Sequence, residues 1–404
     1  MGRVTGEADY DRLRLTQWLA GRARGTGMPR RGPHHASRAV RPGSILKPLP
    51  AGLFFDHDTN AEMRWEAMRG QGYLVPADRF FVRNHTRTPL IDPGTWRLRV
   101  FGTGLRGAPS LASAVTFSYQ DLLDLPAESV TSAIECAGNG RRFFTSQQNE
   151  AVPGTPWMLG AIGVARWRGV RLATVLNRAG LTREAVDVLP QGLDPHYFEG
   201  GADLGRVRRP LPVAKALSDA LLAYEMNGQP LPPDHGFPLR LVVPGWAGVA
   251  SIKWVGQIEV SRTPLVSPWN TQLYRLFGGG YPDGGAPITT QIVKSAFELA
   301  WDARLEAGQE HMLQGRSWSG RGSIRQVEVS TDGGRSWRLA RPIDPGLDQV
   351  WRRWQLPWQP EHPGPGTLQA RATDVNGTTQ PASTPYNTMG YLFGGIVAHP
   401  VTVI

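Results

Sequence analysis

A chain of 404 residues with one cysteine holds itself together by packing alone, because no second thiol exists to close a disulfide. That cysteine lies in Ser132-Ala-Ile-Glu-Cys-Ala-Gly-Asn-Gly-Arg-Arg-Phe-Phe144, where an apolar run gives way to a turn-forming stretch and then to two arginines. Gly and Asn accept the positive φ of a tight turn, and nearby guanidinium or backbone N–H groups favour a thiolate. An ionised Cys136 is a soft metal ligand and a strong nucleophile. A solitary cysteine is also a common small core residue, so its company decides between inert packing and chemistry. No Cys/His cluster has zinc spacing and no cysteine quartet exists for an iron–sulfur cluster.

The length predicts two domains, and 40% hydrophobic with 19% charged residues is ordinary for a globular protein. The net charge of +10 is unevenly spread: residues 1–48 hold ten Lys/Arg against three acids, which accounts for seven of the ten charges. A basic arm on a nearly neutral body argues against a nucleic-acid-binding surface. Arg30-Arg31 is a twin arginine, but the polar Gly-Pro-His-His-Ala-Ser-Arg that follows lacks the apolar stretch of an export signal. With no run of about 18 apolar residues, the expectation is a cytoplasmic protein without a membrane span.

Taken in order, residues 8–22 predict one short helix, and 25–50, rich in Gly, Pro and Arg, reads as a linker. Phe80-Phe81-Val82 is a short strand that ends in Arg83-Asn84-His85. Strands are predicted at 96–101, 130–134 and 238–244, with helices over 119–125 and 171–179, the latter stopped by Gly180. Leu221–Met226 is apolar and ends in an Asn-Gly turn. An arginine inside the apolar strand Pro238-Leu-Arg-Leu-Val-Val-Pro244 needs an anionic or hydrogen-bonding partner. Phe277-Gly-Gly-Gly-Tyr-Pro-Asp-Gly-Gly-Ala-Pro287 reads as an interdomain linker. Beyond it, alternating runs punctuated by turns predict an antiparallel sandwich.

Five stretches occur in the order found in one family: Phe80-Phe-Val-Arg-Asn-His85, Cys136-Ala-Gly-Asn with its arginines, Leu222-Ala-Tyr-Glu-Met-Asn-Gly228, Asp234-His-Gly-Phe-Pro-Leu-Arg240 and Ser251-Ile-Lys-Trp254. The chain from about residue 50 onward resembles the sulfite oxidase family of molybdopterin-dependent oxidoreductases. The resemblance implies an α+β chain: a basic, flexible arm over 1–50, a mixed α/β molybdopterin-binding domain over 51–285 and an immunoglobulin-like dimerisation domain over 286–404. It implies a molybdenum–molybdopterin cofactor with Cys136 as the metal ligand. Phe81, Val82, Arg83, Asn84, His85, Asp203, His235, Arg240, Ser251, Ile252 and Lys253 would contact the cofactor. Arg83, Arg142, Arg352, Tyr274 and Trp157 would surround the substrate, with Arg141 and Arg353 as alternative registers for two of the arginines.

The same resemblance implies a homodimer that oxidises sulfite to sulfate and passes electrons to an external acceptor such as a cytochrome c. Gly140 in the cysteine turn also resembles the sulfane dehydrogenase branch, so another sulfur compound, or an S- or N-oxide, stands beside sulfite as substrate. A non-catalytic binding module is the third reading. His362-Pro-Gly-Pro superficially resembles a cytochrome b5 haem motif, but it falls between two predicted sandwich strands, so no haem is expected on this chain.

Overall fold

Alternation builds the first sheet. In the strand Arg97–Phe101, Leu98 and Val100 are fully buried while Arg97 and Arg99 face solvent, and each such apolar side chain contributes about 1.5–3 kcal/mol on burial. This strand pairs in parallel with Val255–Ser261 and antiparallel with Val115–Ser118; Asp187–Gly192 and Leu211–Pro212 complete a five-stranded sheet. A second sheet runs Gln229–Pro230, Leu221–Met226, Ile162–Arg171, Ala127–Glu135, with Arg240–Val242 joined to Leu221–Met226 along the same edge as Gln229–Pro230. One apolar core fills the space between these sheets and the helix Leu172–Arg178, whose Leu172, Val175 and Leu176 point inward. Gly180, at φ +91°, ends that helix as its position predicts.

The computed structural model describes residues 44–404; the helix expected over 8–22 and most of the basic arm lie outside the described residues. Residues 44–50 do not behave as a linker. The backbone N–H groups of Leu46 and Lys47 donate to the Asp234 carboxylate at 2.9 and 2.7 Å, and Ile45 joins Phe54, Ala61 and Val82 in a small core. That core supports a three-stranded sheet of Phe54–His57, Asn60–Met63 and Val82–Arg83.

Two sheets form the C-terminal sandwich. One contains Lys294–Phe297, His311–Trp318, Trp351–Trp358 and Arg341–Pro342; the other contains Ala303–Leu305, His399–Val403, Gly364–Asp374, Ile324–Ser330 and Arg338–Leu339. A separate apolar core lies between them. Before the last strand the chain crosses back as an irregular strap over 375–398. The strap is pinned by Asn387, fully buried, which exchanges two hydrogen bonds of 2.8 and 2.9 Å with the Tyr391 backbone. From there the Leu392 N–H donates to the Ala137 carbonyl at 2.8 Å, in the cysteine turn.

The residues around that turn are tied to the sandwich by a buried cluster. Lys294 Nζ lies 2.8 Å from Glu135 Oε1 and donates to the Asn139 carbonyl at 2.7 Å, while Asn139 Nδ2 donates to the same Glu135 oxygen at 3.0 Å. Lys294 and Glu135 are 1% and 3% exposed, so removing one charge strands the other in a low-dielectric interior. Lys294→Met is therefore expected to destabilise the fold by about 3–5 kcal/mol, and the double replacement Lys294→Met with Glu135→Leu to recover most of it. Denaturant titration of both variants checks this; equal losses in the single and double variants would contradict it.

Candidate active site

The strand Ala127–Glu135 stays in register with Ile162–Arg171 along its whole length, and the Cys136 N–H extends the ladder by donating to the Ala161 carbonyl at 2.9 Å. The turn that follows breaks the ladder and leaves the thiol at the end of a sheet. Gly138 N–H donates to Cys136 Sγ at 3.4 Å. Two clefts, of about 730 and 880 Å³, adjoin there and share Arg83, Asn84, His85, Cys136 and Tyr274.

The inner cleft is cationic. Phe81, His235, Arg240, Ser251, Ile252, Lys253, Trp254 and Asp194 line it beside the shared residues. Arg240 emerges from its apolar strand to donate only to carbonyls, those of His235 at 3.0 Å, Ser251 at 3.2 Å and Leu241 at 3.5 Å, and its guanidinium covers the Trp167 ring at 4.8 Å. Burial pulls its pKa down to about 9. Lys253 donates to the Asn84 side-chain oxygen and to the Asp234 carbonyl at 2.7 Å, and burial, followed by repulsion from Arg240, holds it well below the usual lysine value. Lys47, behind the cleft wall, donates to the Phe80 and Ala77 carbonyls and is lowered to about 7 by burial. His235, 3.5 Å from Lys47, is pushed well below the ordinary imidazole value by burial and by three neighbouring cations. Asp234 offsets part of this charge, favouring the protonated forms of Lys47 and Lys253 against their burial, while its carboxylate accepts from the Leu46 and Lys47 N–H groups and from the Thr88 hydroxyl at 2.6 Å.

Where the clefts meet, one hydrogen-bonded chain fixes the polar side chains. Trp269 Nε1 donates to His85 Nε2 at 3.2 Å, so that nitrogen carries a lone pair and the ring is neutral. Burial and the charges of Arg83 and Lys253 lower His85 in the same direction. Arg83 donates to the Tyr274 hydroxyl at 3.4 Å, and that hydroxyl in turn reaches His85 Nε2 at 3.1 Å. Burial raises the Tyr274 phenol against the opposing pull of Arg83, so it keeps its proton and remains a donor.

The outer cleft adds Arg141, Tyr197, Glu199, Leu273, Met389 and Tyr391. Arg141 is 8% exposed and lies between two glycines: a Cβ at Gly138 would come within 2.9 Å of its guanidinium carbon, and one at Gly154 within 2.8 Å of Nη1. It donates to the Gly390 carbonyl at 3.2 Å and that of Thr155 at 3.3 Å.

Several expected site residues lie elsewhere. Arg142 begins the helix Arg142–Gln148 and is exposed, because a helix starting there turns its side chain away from the cleft that Arg141 enters. Arg352 stays within the sandwich, donating to the Asp344, Ile324 and Arg325 carbonyls, and Arg353 forms a two-pronged pair with Asp344 at 2.8 and 2.7 Å. Trp157 is buried against His57 and Phe81, one layer behind the cleft. Val82 points into the small N-terminal core. Asp203 is exposed on the hairpin Tyr197–Glu199/Ala202–Gly205 and pairs with His196 at 2.9 Å. The carboxylate in the inner cleft is instead Asp194, 1% exposed, at the end of the strand Asp187–Gly192. Its position just past a strand end was the available signal.

These elements define a thiol-centred cleft in an α+β domain that an all-β domain follows. The oxidoreductase molybdopterin binding domain matches residues 85–269 and the Mo-co oxidoreductase dimerisation domain matches residues 287–394. Mitochondrial sulfite oxidase of Homo sapiens is 37% identical over 305 residues, covering 71% of this chain and 53% of that protein. Sulfite oxidase of Gallus gallus is 35% identical over 342 residues, covering 80% and 71%. The sulfane dehydrogenase SoxCD of Paracoccus pantotrophus superposes with a TM-score of 0.72 at 26% identity, covering 90% of this chain and 92% of that one. The chain belongs to the sulfite oxidase family of molybdoenzymes, and it spans about half the length of the mammalian relatives it matches.

Asp194 Oδ1 has no hydrogen-bond partner, and burial raises this carboxyl to about 6. The unfolded chain releases that proton near pH 4 while the folded chain keeps it to about 6. The contribution of Asp194 is therefore most favourable below pH 4 and declines as pH rises from about 4 to 6. In cofactor-free protein, Asp194→Asn is expected to gain on the wild type over that window by up to roughly 3 kcal/mol. Thermal melts between pH 4 and 7 check this, and a pH-independent difference would count against it.

Proposed function

We propose that this chain is the catalytic unit of a molybdenum-dependent sulfite dehydrogenase, in which the inner cleft holds the pyranopterin and the outer cleft admits the sulfur oxyanion. The observation that carries the reading is the position of Cys136, a thiol at the junction of a buried cationic cleft and an arginine-lined entrance. The inner cleft fits such a group chemically. Its cations are desolvated and face carbonyls, so a bound phosphate would relieve their mutual repulsion. The unpartnered Asp194 oxygen suits the amino and ring N–H groups of a pterin. Among the described residues no group of three or more His, Cys, Asp or Glu side chains is arranged to hold a metal, so a metal on Cys136 would take its remaining donors from the organic group.

In this scheme Cys136 would bind molybdenum as thiolate, and Arg240, Lys253, His235 and Ser251 would hold the pterin side. When bound, the molybdenum cofactor supplies oxygen-atom transfer and storage of two electrons, which no side chain provides. Arg83 and Arg141 orient the anion, since planar guanidinium groups suit oxyanions. Tyr274 gives its one proton to neutral His85 and accepts from Arg83, so it would hold the Arg83 guanidinium in position beside the anion. Sulfite and water become sulfate with release of two protons and two electrons, and the electrons pass to an external one-electron carrier such as a cytochrome c. The sandwich would pair two copies as a homodimer. A sulfane-type substrate is the second reading, favoured by the likeness to the sulfane dehydrogenase.

Stoichiometric molybdenum in the purified protein, with sulfite-dependent reduction of ferricyanide, is the expected result. Metal-loaded protein that oxidises no reduced sulfur compound would overturn the reading. In steady-state assays Arg141→Gln should raise KM for the oxyanion at least about tenfold, equivalent to about 1.4 kcal/mol. Arg142→Gln should leave KM within about twofold, as expected of a surface residue.

A further inference from the structure

Arg209 is a buried cation that lines neither cleft. It is 3% exposed, and its guanidinium donates to two main-chain oxygens, Nη1 to the Trp269 carbonyl and Nη2 to the Ile288 carbonyl. Among the described residues no carboxylate pairs with it, and burial pulls its pKa down to about 10. A charge taken out of water and held by neutral carbonyls alone is less stabilising than an apolar side chain of similar volume, so packing does not account for its place.

Both carbonyls lead to the same imidazole. Trp269, fully buried on the short helix Pro268–Thr271, carries the indole N–H that donates to His85 Nε2 at 3.2 Å. Ile288, ahead of the first sandwich strand, donates its own N–H to the Tyr274 carbonyl at 3.2 Å, and the Tyr274 hydroxyl is the second partner of His85 Nε2, at 3.1 Å. The fork of Arg209 therefore ties down both ends of the segment 269–274, directly at Trp269 and through Ile288 at Tyr274. Tyr274 has a φ of +54°, a conformation that a residue other than glycine keeps only where its surroundings fix it. Its hydroxyl accepts from Arg83 at 3.4 Å, which carries the restraint on to the guanidinium shared by the two clefts.

We propose that Arg209 is a positioning residue for the reaction: it holds Trp269 and Tyr274 in place, and through them the His85 tautomer and the Arg83 guanidinium. The inference rests on the oxygen-transfer reading above and adds to it a residue one layer behind the site. A planar fork suits the task because two carbonyls are bound at once, whereas an ammonium is a point charge on a flexible stem. With both Nε2 donors in place the imidazole proton stays on Nδ1; loosening either donor lets it move between the nitrogens.

Arg209→Lys keeps the charge and loses the fork, whereas Arg209→Gln loses both and, by removing the buried charge, keeps the test open where the lysine fails to fold. In molybdenum-loaded protein each is expected to lower kcat/KM for the sulfur substrate at least about tenfold at unchanged metal content. In a Tyr274→Phe background, where the path to Arg83 is already broken, the same substitutions should change kcat/KM by no more than about twofold. A residue that only supports the fold would give the same loss in both backgrounds. A second readout needs no metal: nitrogen chemical shifts of the His85 ring in cofactor-free protein, assigned with His85→Gln, should report the Nδ1–H form in the wild type and a mixture of tautomers in both variants. Wild-type kcat/KM in Arg209→Lys, equal losses with and without the Tyr274 hydroxyl, or His85 shifts identical in all three proteins would each overturn the inference. Loaded wild-type protein that oxidises no reduced sulfur compound overturns the parent reading instead, and the ring shifts then still decide on Arg209.

Discussion

The site depends on a buried ion pair placed beside the cysteine turn. Glu135 ends the strand that delivers Cys136, Asn139 sits inside the turn, and Lys294 from the first strand of the sandwich binds both. Each of these three groups bonds to the other two, and the Asn139 side-chain oxygen also accepts from the Ala161 N–H at 3.0 Å, so the network restrains the turn on both sides. The strap adds a second restraint through Leu392 and Asn387. The second domain therefore acts on the chemistry twice, once by holding the backbone of the thiol and once by supplying Met389 and Tyr391 to the cleft beside it.

Electrostatics runs in the opposite sense to packing in the inner cleft. Arg240, Lys253 and Lys47 are taken out of water with few compensating anions, and burial is the largest influence on all three. An empty cleft of this kind costs the fold stability, and an anionic ligand returns it by binding only the folded form. Placing a site where the free protein is strained electrostatically is a usual feature of ligand clefts that must retain a charged cofactor. The outer cleft is milder, because its arginines lean on carbonyls and aromatic faces and remain open to an entering anion.

Much of this was legible in the sequence, for a definable reason. Arg83 to His85, Cys136, His235, Arg240, Ser251 to Lys253 and Tyr274 sit in short contiguous stretches at strand ends, where local turn chemistry places several side chains together. The strand at 97–101 followed from alternation and the helix at 172–178 from a glycine stop. What was not legible depends on contacts between distant parts of the chain. Lys47 looked like part of a Pro/Gly-rich linker until its backbone met Asp234. Met389 and Tyr391 lie in a long irregular strap whose route no periodicity encodes. The choice between Arg141 and Arg142 turned on where a helix begins, and Asp194 rather than Asp203 lines the cleft because it follows a buried strand while Asp203 sits on an exposed hairpin.

The account stands on a bond between the Cys136 sulfur and molybdenum. X-ray absorption at the molybdenum edge measures the sulfur shell directly in the loaded protein. Replacement of Cys136 by Ser is expected to remove one sulfur neighbour from that shell, since a hydroxyl is a far poorer ligand for a soft metal than a thiolate. An identical sulfur count in the wild type and Cys136→Ser, with the metal retained in both, would contradict it.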